Sequence, residues 1–366
     1  MEEKITRIKL WSEGKKQGPV SIHLDLSNRC NLTCKFCWQR SHERMGLVDY
    51  SNELSEEKLL STVKEAADLG VQDWLISGGG EPFIRTDTTI RVMKEIKRYH
   101  MFGDIITNGT LFRGKDIEEL VKVKWDRIRV SMNGPNKEMH DFLVDKKGAF
   151  DKVITALKLI KRLQRKYENK LPEIGFNTVI NCVNYKTFPE LVKLLIKIRG
   201  SLINVQTIIL YDEKEKEWTL NKDQRKEFNK IIKKVLKITR RHNIHTNIGE
   251  YLSEDVVDKS SELGKMNTLM ETNYKGFIGS HCFEPWYLVT IRANGIVGSC
   301  RLFGDKGTSI QNKSLKQIWF GSYYSRIRKR LINHDLPDYC KNCGANEFLE
   351  NQRIREELIK AIKNGK

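Results

Sequence analysis

From residue 19 to about 211 the chain repeats one pattern: a short β-rich run, then a longer stretch with apolar residues at helical spacing. The strand candidates are VSIHLDLS (20–27), VQDWLISG (71–78), GDIITNG (103–109), RIRVSMN (127–133), IGFNTVIN (174–181) and INVQTIIL (203–210). Amphipathic segments such as SEEKLLSTVKEAADLG separate them, with Ser55 as N-cap, Glu56 and Glu57 in the first turn and Gly70 as the stop. Strands alternating with helices predict parallel pairing and right-handed crossovers. Six repeats predict an α/β fold, either a partial or full (β/α) barrel or an open doubly wound sheet. In each case the ligand site lies at the strand C-termini.

The pattern then changes. YDEKEKEW is a charged break, and Phe228, Ile231, Ile232, Val235 and Leu236 form the apolar stripe of a long helix. From about 281 a smaller unit begins, in which WYLVTI and GIVGSC flank the hairpin signal Asn294-Gly295. SLKQIWFGSYYSRIRKRL reads as helix. The expected organisation is an N-terminal extension (1–18), a barrel (19–212), a helical linker (213–280), a small cap (281–346) and a C-terminal helix (347–366).

Apolar residues make up 39% of the chain, enough for a full core and against general disorder. The net charge of +18 favours an acidic partner, although lysine-rich solvated helix faces are the commoner source of such an excess. MEEKITRIKLW lacks the apolar core of a signal peptide, and no apolar run approaches the ~20 residues of a membrane span. The expectation is a cytoplasmic protein whose eight cysteines are reduced and serve metal binding or catalysis.

Three of them, Cys30, Cys34 and Cys37, follow the first strand directly. Three thiolates this close can ligate three irons of a [4Fe–4S] cluster and leave the fourth open. A zinc site would want a fourth local ligand, and His42 is the only nearby candidate. Cys282, Cys300, Cys340 and Cys343 form a second set, two around the hairpin and two in a CxxC pair. That pattern suits structural zinc or a fully ligated iron–sulfur cluster equally. Cys182 belongs to neither set.

Cys-x3-Cys-x2-Cys after the first barrel strand, with the aromatic residues Phe36 and Trp38, resembles the radical SAM enzymes. Gly78-Gly79-Gly80-Glu81-Pro82 is similar to the family's GGEP motif, which holds the SAM amino group. Asn108, Ser131, Asn133 and Asn177 fall where family members contact SAM. The resemblance implies a partial (β/α)6 TIM-like barrel and a [4Fe–4S] cluster that binds S-adenosylmethionine at its open iron. It also implies a flavodoxin- or ferredoxin-type electron donor. Gly295-x4-Cys300 with Cys282, Cys340 and Cys343 resembles the SPASM/twitch extension. With no cysteine after Cys343, it implies one auxiliary [4Fe–4S] cluster held by all four. Family epimerases quench the substrate radical with a cysteine thiol, a role Cys182 could fill. Strand parity counts against it, since Asn181 shares the face of Asn177.

For the substrate, the expectation is dehydrogenation or epimerisation of a sugar, aminocyclitol or nucleotide. It rests on the charge and on the short segment before the first strand, which leaves no room for a leader-binding domain. The alternative is modification of a peptide or protein side chain. RNA modification is less favoured, because the basic tracts sit on amphipathic helices without an RNA-binding motif.

Overall fold

The computed structural model describes residues 2–211, 213–252, 274–301, 307–343 and 345–364. Its strands are β1 (Ser21–Asp25), β2 (Asp73–Ser77), β3 (Phe102–Thr107), β4 (Arg127–Ser131), β5 (Glu173–Ile180), β6 (Leu202–Thr207), β7 (His245–Thr246), β8 (Leu288–Ile291), β9 (Ile296–Gly298) and β10 (Thr308–Ser309). The helices of the first half are α1 (Glu2–Ser12), α2 (Trp38–Arg44), α3 (Glu56–Asp68), α4 (Thr86–Arg98), α5 (Gly114–Lys122), α6 (Lys137–Val144) and α7 (Ala149–Lys166). α8 (Phe188–Lys197), α9 (Lys222–Arg241), α10 (Leu315–Trp319), α11 (Ser322–Ile332) and α12 (Ala345–Asn364) follow.

β1 to β6 pair in parallel, each with the next in sequence, and every one overlaps its expected strand. The fold is thus a partial (β/α)6 barrel, continued at both edges. β7 adds a seventh parallel strand beside β6, inside the segment expected to be a helical linker; residues 253–273 of that segment lie outside the described residues. On the other edge β8 pairs with β1 in parallel, and β9 returns antiparallel through the turn at Gly295, whose φ is +82°. The order β10-β9-β8-β1-β2-β3-β4-β5-β6-β7 makes one sheet of barrel and cap.

The local signals read for α3 and α9 hold. The Ser55 hydroxyl accepts from the Lys58 amide and caps α3. α9 buries Phe228, Ile232 and Val235, with Ile231 and Leu236 packed at the margin. The helix expected over 314–331 breaks at Gly321 into α10 and α11. The N-terminal extension is structural: Ile5 and Ile8 of α1 share a core with Trp286, Tyr287, Ile354 and Leu358.

Strand alternation decides what the barrel encloses. Ile22, Leu24, Trp74, Ile76, Ile128, Val130, Ile174, Phe176, Ile203 and Val205 are buried in the main core. The alternate positions, including His23, Asp25, Ser77, Arg129, Ser131, Asn177 and Asn204, line a cavity of about 450 Å³. This lumen also carries apolar side chains, Leu75, Ile106 and Val179 among them.

Candidate functional site

The loop after β1 is fixed from several sides. The Gly80 amide donates to the Ser27 carbonyl at 2.7 Å, and the Glu81 amide to the Arg29 carbonyl at 2.9 Å. A Cβ on Gly79 would lie 2.3 Å from Asn28 Oδ1, and one on Gly80 2.0 Å from the Arg29 carbonyl oxygen. The glycines are therefore required by the approach of two backbones. Gln39 of α2 donates to the Asn28 carbonyl at 2.6 Å, Asn108 donates to Asn31 Oδ1 at 2.9 Å, and the Lys35 amide donates to the Leu143 carbonyl at 3.0 Å. The loop that carries three thiols is thus held by the ends of β2 and β3 and by α2 and α6.

Glu81 is buried, and its carboxylate accepts from the Phe83 amide (3.0 Å), the Thr107 hydroxyl (2.6 Å) and the Asn108 amide (2.7 Å). Burial raises its pKa, and these three donors oppose the rise. Three of about four acceptor sites serve the protein, so Glu81 ties β2 to β3 while lining the cavity.

Cys30, Cys34 and Cys37 all line the cavity. Burial raises each thiol pKa, and the Cys34 thiol is pushed up further by Cys37 and Cys30. Phe36 stacks tilted against Trp218 at 6.5 Å, and Trp38 packs edge-on against His42 at 4.8 Å. His42 is buried in that aromatic group, with its pKa lowered to about 4 by burial.

Deeper in the lumen, His23 pairs through Nε2 with the Ser77 hydroxyl. Burial first, then Arg301, Arg292 and Arg129, holds its pKa well below the usual range, which favours the neutral ring. Asp25 accepts from Arg292 at 3.1 Å, and Asp104 pairs with Arg129 at 3.0 Å. The far wall belongs to the cap: Arg301 bonds Glu350 at 3.0 Å and approaches Glu284 at 3.3 Å. Burial would raise the Glu350 carboxyl, but Arg301 and Lys4 overcome it and hold it below the usual range. The lining holds five arginines (40, 129, 292, 301, 353) against five carboxylates (Asp25, Glu81, Glu250, Glu347, Glu350). The charge excess is not in the cavity, which removes the electrostatic argument for an anionic sugar or nucleotide.

The second cysteine set lies behind that wall. Burial raises the pKa of Cys282, Cys300 and Cys343 far above the thiol range. The field of Cys282, Cys343 and Cys340 adds to it at Cys300, and Cys340 adds to it at the other two. Half-buried thiols that feel one another's charge suit a metal centre, where coordination deprotonates them outright. Among the described residues no three His, Cys, Asp or Glu side chains already stand in metal-ligating geometry.

Of the residues singled out from sequence, Phe36, Gly79, Gly80, Glu81, Asn108, Ser131, Asn133 and Asn177 all line the cavity together with the first three cysteines. Pro82 does not; it starts the short helix that Glu81 caps. Cys182 is also placed elsewhere: β5 ends at Ile180, Asn181 turns the chain, and the Cys182 thiol donates to the Glu217 carbonyl at 3.3 Å. The placement does not bring it to the cavity. Sequence reasoning missed His23, Asp25, Arg129, Asn204, Asn247, Arg292 and Arg301. Polar residues at alternate positions of strands that are otherwise apolar were the available signal.

Family comparison agrees with this layout. The profile of the radical SAM superfamily matches residues 24–195, and that of SPASM, an iron–sulfur cluster-binding domain, matches 282–344. The PqqA peptide cyclase of Granulibacter bethesdensis is 25% identical over 341 residues, 90% of this chain and 81% of that protein. A probable GTP 3′,8-cyclase of Methanocella arvoryzae is 30% identical over 139 residues, 37% of this chain and 42% of that protein. Several further relatives are likewise matched over less than half of their own length. Among solved structures, Streptococcus suis SuiB bound to S-adenosylmethionine superposes with a TM-score of 0.65 at 18% identity, covering 92% of this chain and 74% of that one. Native anSMEcpe with bound AdoMet gives 0.64 at 18%, covering 94% and 100%. At that identity the likeness is one of fold.

Proposed function

This chain belongs to the radical SAM superfamily and carries a C-terminal SPASM-type iron–sulfur domain, and from that premise we propose that it modifies a peptide side chain. The observation that carries the reading is the extent of the match to a peptide cyclase, which runs through barrel and cap alike. The match to a GTP cyclase spans 37% of this chain, and so carries less of the substrate-facing architecture. The balanced charge of the lumen adds no support for an anionic small molecule.

Cys30, Cys34 and Cys37 would hold the SAM-binding cluster, and Cys282, Cys300, Cys340 and Cys343 an auxiliary one. When bound, the first cluster and SAM supply a 5′-deoxyadenosyl radical, with electrons from a flavodoxin- or ferredoxin-type donor. Gly79, Gly80, Glu81, Asn108, Ser131, Asn133 and Asn177, all on the cavity wall, would hold SAM, and Pro82 sets the turn behind Glu81. The substrate carbon would enter the lumen, which His23, Arg129, Asn204, Arg301 and Glu347 also line. Paired charges there replace bulk water around the reacting carbon with fixed dipoles.

The test is reductive SAM cleavage by anaerobically reconstituted protein given deuterated peptides. Deuterium from a peptide carbon should appear in 5′-deoxyadenosine, and the peptide should lose hydrogen. No 5′-deoxyadenosine at all would end the enzymatic reading. Transfer from a sugar nucleotide but from no peptide would return the substrate to the small-molecule class.

A further inference from the structure

The positive charge absent from the cavity gathers on the outside of the barrel. α9 exposes Lys226, Lys233, Lys234, Lys237, Arg240 and Arg241, and none of them forms an ion pair among the described residues. No acidic residue lies between Glu227 and Glu250. Glu227 itself is engaged by the Tyr185 hydroxyl at 2.7 Å and by Lys186 at 3.2 Å. α8 packs beside α9 and exposes Lys193 and Lys197. Beyond it Arg199 acts on Lys161 of α7, whose pKa is lowered by burial and by that like charge. Cations in the last turn of α9 complement its dipole. Lys226, Lys233 and Lys234 stand too far from that end for this to account for them.

We propose that the outer face of α9 is a docking surface for a carboxylate-rich segment of the peptide substrate; this rests on the peptide reading above. Twenty residues make a helix about 30 Å long, which an extended segment of about nine residues would span. The other anionic partners fit less well. A membrane needs apolar side chains to insert, yet Phe228, Ile232 and Val235 are buried and Ile231, Leu236 and Ile238 pack on the core. A nucleic acid would use stacking aromatics, and this face exposes none. An electron carrier must approach the cysteine loop at the C-terminal ends of the strands. α9 starts after β6 and returns towards β7, so its cations from 233 to 241 run to the opposite end of the barrel.

The test uses the full chain and a fluorescent peptide of about 12 residues alternating Glu with Ser. Binding should weaken about tenfold between roughly 50 and 300 mM NaCl, as screening of exposed charges requires. It should weaken at least about fivefold in the triple variant Lys233→Gln, Lys234→Gln, Lys237→Gln, whose melting temperature and substrate-free 5′-deoxyadenosine formation stay at the wild-type level. Undiminished binding by that variant, no binding by either protein, or tighter binding of single-stranded RNA or of phosphatidylglycerol vesicles would overturn the proposal. Transfer of deuterium from a peptide in the assay above is independent of all these outcomes, so the two readings fail separately.

Discussion

Arg292, in the hairpin turn of the cap, donates to the carboxylate of Asp25 at the end of β1, 3.1 Å away, and both side chains are buried. β1 and β8 run in parallel register, Leu24 opposite Ile291, so these two residues are the next pair beyond the ladder. The second Arg292 Nη donates to the Arg301 carbonyl at 2.9 Å. The residue after Cys300 is thereby tied to the strand that leads into the first cysteine loop. Removing Arg292 should leave Asp25 buried without its cation, a loss of about 3–5 kcal/mol. Burial already raises the Asp25 pKa and Arg292 opposes the rise. In Arg292→Met the folded-state pKa climbs further above the unfolded value, so stability is retained at low pH and lost as pH rises through the folded pKa. Denaturant titration should show a larger deficit at pH 8 than at pH 5, and adding Asp25→Asn should recover part of it. An equal deficit at both pH values would refute the coupling.

Gly80→Ala places a methyl group 2.0 Å from the Arg29 carbonyl oxygen, which is backbone and cannot rotate away. The cysteine loop must shift. Reconstituted variant should lose 5′-deoxyadenosine formation while the second cysteine set keeps its iron. Iron analysis and SAM cleavage measured on one preparation check this.

The imidazole of His140, on α6, accepts the Asn133 amide at Nδ1, and burial lowers its pKa to about 4. Folding therefore favours the neutral ring. Stability is intact above the unfolded pKa near 6.5 and falls as pH drops towards 4, because the unfolded chain takes up the proton first. Between pH 7 and 4.5 the wild type should lose about 2 kcal/mol more than His140→Gln, which keeps an acceptor but cannot titrate there. Parallel unfolding curves at the two pH values provide the measurement.

The wild-type chain should bind roughly eight irons, two [4Fe–4S] clusters of four. Changing Cys30, Cys34 and Cys37 to Ala should remove about half and abolish SAM cleavage. About four irons with one zinc in the unmutated chain would replace the auxiliary cluster with a structural zinc.

The six barrel strands, the cysteine loop and the glycine motif were legible because each is a local signal: alternation, spacing, or a turn at a strand end. What sequence concealed is long-range. β7 is two residues long, too short to show a period. β8 reads as one arm of a hairpin, and nothing in its residues says that its other edge meets β1. Asp25 and Arg292 each resemble an ordinary surface charge until that pairing buries them. Glu81 was assigned to the cofactor from its motif, whereas its oxygens also serve three protein donors, a role only geometry reveals.

The joining of β1 to β8 also shapes how the molecule is made. Ser21 is synthesised long before its partner Leu288. Until then one side of β1 presents open amides and carbonyls, the kind of edge that recruits foreign strands. A contact of such high sequence separation forms slowly, and the interval exposes a nascent barrel to aggregation. Slower translation or a holding chaperone should raise the soluble yield of this chain more than that of a barrel whose first strand is covered by its immediate successors.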